Sequence, residues 1–248
     1  MTSPGFELPP EYIAMLERDG HDNPPAFAHA LANMFSGIDF AGKRVLEIGS
    51  GRGLLAIYMG MRGAQVVSME PELVGATSGV IAQQRARLAE LGMTNVEVVN
   101  ADFNTWDAGE RRFDIIVSRA SINHLYASVH HAEHHKETWD AYLQMARRVR
   151  SMLAPGGIFV ATDASRYAFF SALRRFGVRR PWRLRRSSID WRHHQNAGTW
   201  TKIFREAGFS AVHVAYPVPY PLRALGPIVD TAVANFFLRG AFILRAER

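Results

Sequence analysis

The segment Val45-Leu46-Glu47-Ile48-Gly49-Ser50-Gly51-Arg52-Gly53 constrains the fold more than any other stretch of the chain. A short strand-forming run enters three glycines spaced two apart, and a stretch with helical spacing follows from about Leu54 to Arg62. A glycine-rich turn between strand and helix lets a ligand approach the backbone closely. In open α/β sheets, ligands sit beyond the carboxyl ends of the strands, near the switch point.

The same alternation continues downstream. Strands are expected at Arg44–Ile48, Gln65–Met69, Val96–Val99, Phe113–Val117 and Ile158–Thr162. Helical stretches separate them, one through Ile81, Leu88 and Leu91 with Gly92 as its stop, and a long one from about Glu137 to Leu153. That long helix should end at the turn Ala154-Pro155-Gly156-Gly157. Strands alternating with helices imply a parallel sheet covered on both faces. Residues 164–197 break the pattern as an arginine-rich insertion. A helix from Trp200 to Ala207, a strand at Ala211–Ala215, a short helical piece and a strand around Ala241–Leu244 then complete the chain. The first 40 residues read as helical, with Pro9-Pro10 and Pro24-Pro25 each opening a segment.

The glycine turn excludes two familiar alternatives. A dinucleotide fingerprint needs its third glycine three places after the second; that place is Leu54, and Gly53 comes one residue early. No Gly-Lys-Ser/Thr follows to make a P-loop. Two further strand ends carry acids. Glu70 follows the second strand, with Pro71 beside it, and a carboxylate there can accept both hydroxyls of a ribose. Asp102 follows the third strand and can accept from an adenine amino group, with Phe103 placed to pack on the base.

These residues identify a resemblance. Over roughly 41–165 and 198–247 the sequence resembles class I S-adenosylmethionine-dependent methyltransferases. The run Glu47-Ile48-Gly49-Ser50-Gly51-Arg52-Gly53 looks like their first motif, and Glu70, Asp102 and Leu153-Ala154-Pro155-Gly156-Gly157 match later ones. The resemblance implies a Rossmann-like α/β fold, a seven-stranded, mostly parallel sheet with helices on both faces and an antiparallel last strand. It implies S-adenosylmethionine as cofactor, with Glu47 holding its amino acid end and Ser118, Arg119 and Ala120 lining the floor near the sulfur. A finer likeness, to bacterial enzymes that methylate surface sugars and secondary metabolites, rests on Asn123-His124-Leu125 and the Trp191-x-x-His194-Gln195 stretch.

Methyl transfer to a hydroxyl requires collinear reactants, exclusion of water and removal of a proton. Histidine is the usual base near neutral pH. His124, just after the fourth strand, is the first candidate base; His193 and His194, in an insertion able to close over the site, are the others. Asp163, ending the fifth strand, is a candidate orienter. The run His130-His131-Ala132-Glu133-His134-His135 offers histidines four apart, but without a His-Glu-x-x-His pattern or an obvious third ligand it reads as a solvated loop. The place just after the fourth strand, where metal-assisted O-methyltransferases carry acids, holds Ser118 and Arg119, so no metal is expected. Asp22-Asn23-Pro24-Pro25 lacks the following aromatic of nucleic-acid amino-methyltransferases and reads as a helix start.

The chain has 248 residues and no cysteine, which removes thiolate chemistry and disulfides. The N-terminal residues Met1–Glu7 lack the basic start and apolar run of a signal peptide, and Asp230 interrupts the longest apolar stretch, so a cytoplasmic protein is expected. The net charge of +6 is concentrated between Arg166 and Arg192, through Arg174, Arg175, Arg179, Arg180, Arg183, Arg185 and Arg186. These arginines read either as a solvated face or as a handle for an anionic acceptor, a membrane surface or nothing. Trp182 and Trp191 among them keep an RNA substrate as the lesser reading.

The expected organisation is an N-terminal helical cap over 1–40 and a methyltransferase domain over 41–248, with an acceptor cap at 164–197. The expected activity is O-methylation of a small molecule or glycan precursor. N-methylation of an amine or RNA base is an alternative, as is a non-catalytic adenosylmethionine-binding domain. The oligomeric state stays open.

Overall fold

The computed structural model describes residues 8–19, 23–72, 78–126, 128–169 and 191–248. Seven strands form one sheet: β1 (Arg44–Ile48), β2 (Gln65–Met69), β3 (Val96–Val99), β4 (Phe113–Arg119), β5 (Leu153–Ala164), β6 (Ala211–Ala215) and β7 (Ala241–Glu247). Their order is β3-β2-β1-β4-β5-β7-β6. The first five run parallel, and β7 runs antiparallel to both β5 and β6. The order reverses at β1, so the crevice between β1 and β4 is the switch point where such sheets bind ligands.

Helices connect most of the strands. These are α3 (Leu54–Met61) after β1, α4 (Val80–Glu90) after β2, α5 (Lys136–Met152) before β5 and α6 (Ala197–Glu206) before β6. Two helices precede the sheet, α1 (Pro10–Arg18) and α2 (Pro24–Met34), each with proline in its first turn, where the missing N–H costs nothing. Asn23 caps α2 by accepting the Ala26 N–H. Two short helices, α7 (Gly226–Val229) and α8 (Ala232–Leu238), lie between β6 and β7.

Period-two alternation assigns the strand residues to two cores. Leu46, Ile48, Val67, Met69 and Ile116 pack with α5 and α6 around the fully buried Trp200 and Tyr142. Val45, Val66, Ile115 and Val117 face the other way, against α1, α2, α3 and Leu88 of α4. Glu47 falls on this second face by the same alternation, which brings it towards Tyr12 and α3. The N-terminal helices thus share their core with the sheet. An Arg87–Asp19 ion pair, 2.5 Å long, ties the end of α1 to α4.

β5 differs from expectation. It starts at Leu153, directly off α5, because Leu153 pairs with Phe113 before an irregularity shifts the register. The turn at Ala154–Gly157 is therefore a feature inside the strand. A Cβ at Gly157 would sit 2.9 Å from the Ala154 carbonyl oxygen and 3.1 Å from that of Asp114, so only glycine lets the strands pair closely here. The histidine run also differs. It forms a short 3₁₀ turn, Ala132–His134, with Ala132 buried and its N–H held by Gln195 Oε1 at 2.9 Å. Among the described residues no helix is long and apolar enough to cross a membrane.

Candidate active site

The sheet register brings the carboxyl ends of five strands level. Ile48 pairs with Met69 and Ser118, Met69 with Val99, and Arg119 with Thr162. The residues just beyond these tips line a cavity of about 750 Å³. Of the residues expected from sequence, Glu47, Gly49, Ser50, Gly51, Glu70, Pro71, Asp102, Phe103, Arg119, Ala120 and His124 line it. Gly53, Ser118, His193 and His194 do not stand in its wall.

The glycine turn is built for close packing. Gly49 has φ +73°, and a Cβ there would lie 2.3 Å from Ser121 Oγ. The N–H groups of Gly49 and Ser50 both donate to the Met69 carbonyl, which pins the turn to β2. The Gly51 N–H donates to Glu70 Oε2 at 2.7 Å, so Glu70 holds the turn with one oxygen. A Cβ on Gly51 would meet nothing within 4 Å and would occupy open space at the cavity wall. Gly53, at φ +76°, begins α3 where a Cβ would strike Gln84.

Glu47 stands out by its burial. It is 2% exposed, and burial pushes its carboxyl up to about 8, against the opposing pull of the Ala56 N–H and Arg119 and with the Glu70 charge adding to the rise. Its Oε2 is buried without a hydrogen-bond partner. A buried carboxylate oxygen left unpartnered costs on the order of 1–3 kcal/mol or more, so a cationic donor group presented there binds with gain. Burial also raises Glu70 and lowers Arg119. The Arg119 guanidinium lies 5.1 Å from the centroid of the Phe27 ring on α2. Ser50 Oγ and Ser118 Oγ are buried without partners as well.

Asp102 is exposed, and its Oδ1 accepts the Asn104 N–H at 2.7 Å, a turn that fixes the carboxylate at the end of β3. Phe103 is buried, with Arg148 stacked over its ring at 5.4 Å. At the opposite side of the cavity Ala120 has φ +55°, the positive φ of a non-glycine residue. Such strain concentrates at functional sites. It turns the chain from β4 into the 3₁₀ turn Ile122–His124.

His124 is exposed at the cavity, and behind it His194 is 2% exposed. Asp163 is buried at the end of β5. His193 holds the Ser128 carbonyl through Nδ1 at 3.1 Å. Asn123 joins these parts: its Oδ1 accepts the Gln195 N–H at 2.9 Å and Trp200 Nε1–H at 3.1 Å, and its Nδ2 donates to the Ala164 carbonyl at 3.1 Å. Most of the insertion, including Arg174, Arg175, Arg179, Arg180, Trp182, Arg183, Arg185 and Arg186, and the Trp191 side chain lie outside the described residues. Arg166 donates to the Arg192 and His194 carbonyls.

Sequence reasoning missed Tyr12, whose hydroxyl donates to the Leu54 carbonyl at 2.7 Å and whose ionisation is opposed first by burial and then by the nearby Glu47 charge. It also missed Ser121, packed on Gly49. Neither carries a motif. Only the fold brings them to the turn.

The chain resembles known proteins along most of its length. Residues 20–214 match the family model described as a methyltransferase domain. The ubiquinone biosynthesis O-methyltransferase of Azorhizobium caulinodans is 28% identical over 200 residues, covering 80% of this chain and 71% of the relative. The protein-L-isoaspartate O-methyltransferase of Koribacter versatilis is 33% identical over 79 residues, 32% of this chain and 33% of that protein's length. Among solved structures, an S-adenosylmethionine-dependent methyltransferase from Mesorhizobium loti superposes with a TM-score of 0.60 at 21% identity, covering 91% of this chain and 99% of that one. That likeness is one of fold. The family model spans the glycine turn, both strand-tip acids and the His124 turn alike, and the chain belongs to the methyltransferase domain family.

Proposed function

We propose that this protein transfers a methyl group from S-adenosylmethionine to an oxygen of a small-molecule or glycan-precursor acceptor. The observation that carries the reading is the unpartnered, buried Glu47 oxygen in a cavity that also presents Glu70 and Asp102 in strand order. The donor's ammonium would pair with Glu47 and its carboxylate with Arg119. The ribose hydroxyls would bind Glu70, whose Oε2 already steadies Gly51, and the adenine amino group Asp102, with the base beside Phe103. The bound donor supplies an activated methyl on a sulfonium, over the floor formed by Arg119 and Ala120.

His124 reaches the same cavity from the β4 side and serves as base. The acceptor O–H proton passes to a ring nitrogen of His124 as the O–CH₃ bond forms and the S–CH₃ bond breaks, its electron pair remaining on sulfur. General-base assistance of this kind contributes roughly 10²–10⁴-fold. The O-methyltransferase name of the relative that aligns with most of the chain supports oxygen as acceptor. Labelled methyl incorporation across phenols, sugar hydroxyls, amines and RNA tests the reading. Label in a hydroxyl class supports it, label confined to amines or RNA replaces oxygen by nitrogen, and donor binding without any transfer replaces catalysis by binding.

A further inference from the structure

Behind His124 lies a buried pair that the reaction above does not use. His194 is almost fully enclosed and presents its ring to His124 at 5.2 Å between centroids, with the ring planes at 88°. On its far side His194 Nε2 lies 3.7 Å from Asp163 Oδ1, and both side chains are 2% exposed. Asp163 Oδ2 accepts the backbone N–H of Asn123, the residue before His124, at 3.3 Å. Asn123 in turn accepts the N–H of Gln195, the residue after His194. One carboxylate therefore holds the His124 turn twice, through the backbone of Asn123 and through the ring of His194.

We propose that Asp163 and His194 are positioning residues that orient the His124 ring towards the cavity. The proposal rests on His124 being the base of the preceding reading. The His194 ring packs edge-on against that of His124, and the Asp163 carboxylate lies against both His194 and the backbone of Asn123. Among the described residues, ionisable groups facing the pair include Tyr142 on α5, whose ionisation is opposed by burial and by the Asp163 charge, and Arg166, whose guanidinium donates to the His194 carbonyl. Burial raises the Asp163 carboxyl, and the His194 charge pulls it back. A purely structural role would need neither an ionisable ring at 194 nor a charge at 163.

The test is ¹⁵N imidazole spectroscopy of the full chain across pH, with the His124 signals assigned by their loss in His124→Gln. Asp163→Asn keeps the shape and removes the charge; the His124 tautomer ratio is expected to change. His194→Phe keeps an edge-on ring but removes its nitrogens and is expected to change the same ratio, and in that background Asp163→Asn is expected to have a smaller effect than in the wild type. An unchanged tautomer ratio in both single variants would overturn the proposal; where the Asp163 variant fails to fold, the same result in His194→Phe alone overturns it. Adenosylhomocysteine titration of the wild type runs alongside. Failure there sinks the donor reading, whereas unmoved histidine signals with normal titration sink only this inference.

Discussion

Glu47 and Glu70 stand side by side at the tips of β1 and β2, both raised by burial, and the charge of Glu70 adds to the rise at Glu47. The Gly51 N–H takes up one Glu70 oxygen, whereas Glu47 keeps an unpartnered one. On that basis Glu70 braces the turn, and the proposed reading assigns the free Glu47 oxygen to the donor's ammonium.

The Glu47 carboxyl predicts a pH dependence of donor binding. Near pH 7 a carboxyl raised to about 8 is mostly protonated, and pairing with an ammonium favours the charged form. Binding should therefore release close to one proton near neutrality and tighten as pH rises towards 8. Calorimetry in buffers of different ionisation enthalpy reads this directly, and Glu47→Gln should abolish the release while weakening the donor.

The same group has a stability consequence of opposite sense. Its folded value lies above its unfolded one, so its favourable contribution is complete below the ordinary glutamate range and is lost as pH rises to about 8. Glu47→Gln should thus gain melting temperature relative to the wild type on the alkaline side in the absence of donor. Equal alkaline melting temperatures would show that the carboxyl is not held neutral.

The glycines separate folding from binding. Gly49→Ala forces a Cβ to 2.3 Å from Ser121 Oγ at a positive φ, and should cost stability by about 1–3 kcal/mol. Gly51→Ala meets open space, so its stability loss should be limited to about 1–2 kcal/mol of left-handed strain while donor affinity falls. Urea unfolding with adenosylhomocysteine titration distinguishes the two.

Asp102→Asn preserves the oxygen that accepts the Asn104 N–H but opposes an amide donor to the adenine amino group. Donor affinity should fall about tenfold, or roughly 1.4 kcal/mol, close to the lower end of the range for a hydrogen bond to a charged group. Unchanged affinity would remove Asp102 from the adenine site.

His124→Ala should lower the rate of transfer to the hydroxyl acceptor selected by the incorporation panel by about 10²–10⁴-fold, with donor affinity unchanged. Asn123→Ala strands the Gln195 N–H and Trp200 Nε1–H in the core. Each buried donor left unmade costs about 1–3 kcal/mol, so this variant should be among the least stable.

The strand tips were legible because their chemistry is local. The run Glu47 to Gly53 is one strand and one turn, and Glu70 and Asp102 sit where neighbouring strands end. The proline-opened helices α1 and α2 were legible for the same reason, since proline fixes φ at its own position. The relation of His124 to His194 was not, because 70 residues separate them and only the convergence of the β4 and β5 ends places one behind the other. Tyr12 was hidden likewise, 42 residues from the Leu54 carbonyl that it binds. The start of β5 at Leu153 escaped because the Pro155-Gly156-Gly157 turn lies within the strand, where strand pairing overrides local turn chemistry.

The most direct test is calorimetric titration of the purified protein with S-adenosylmethionine and adenosylhomocysteine. The account predicts saturable binding of both at one site, accompanied by proton release that disappears in Glu47→Gln. Flat titrations with a folded protein would contradict it.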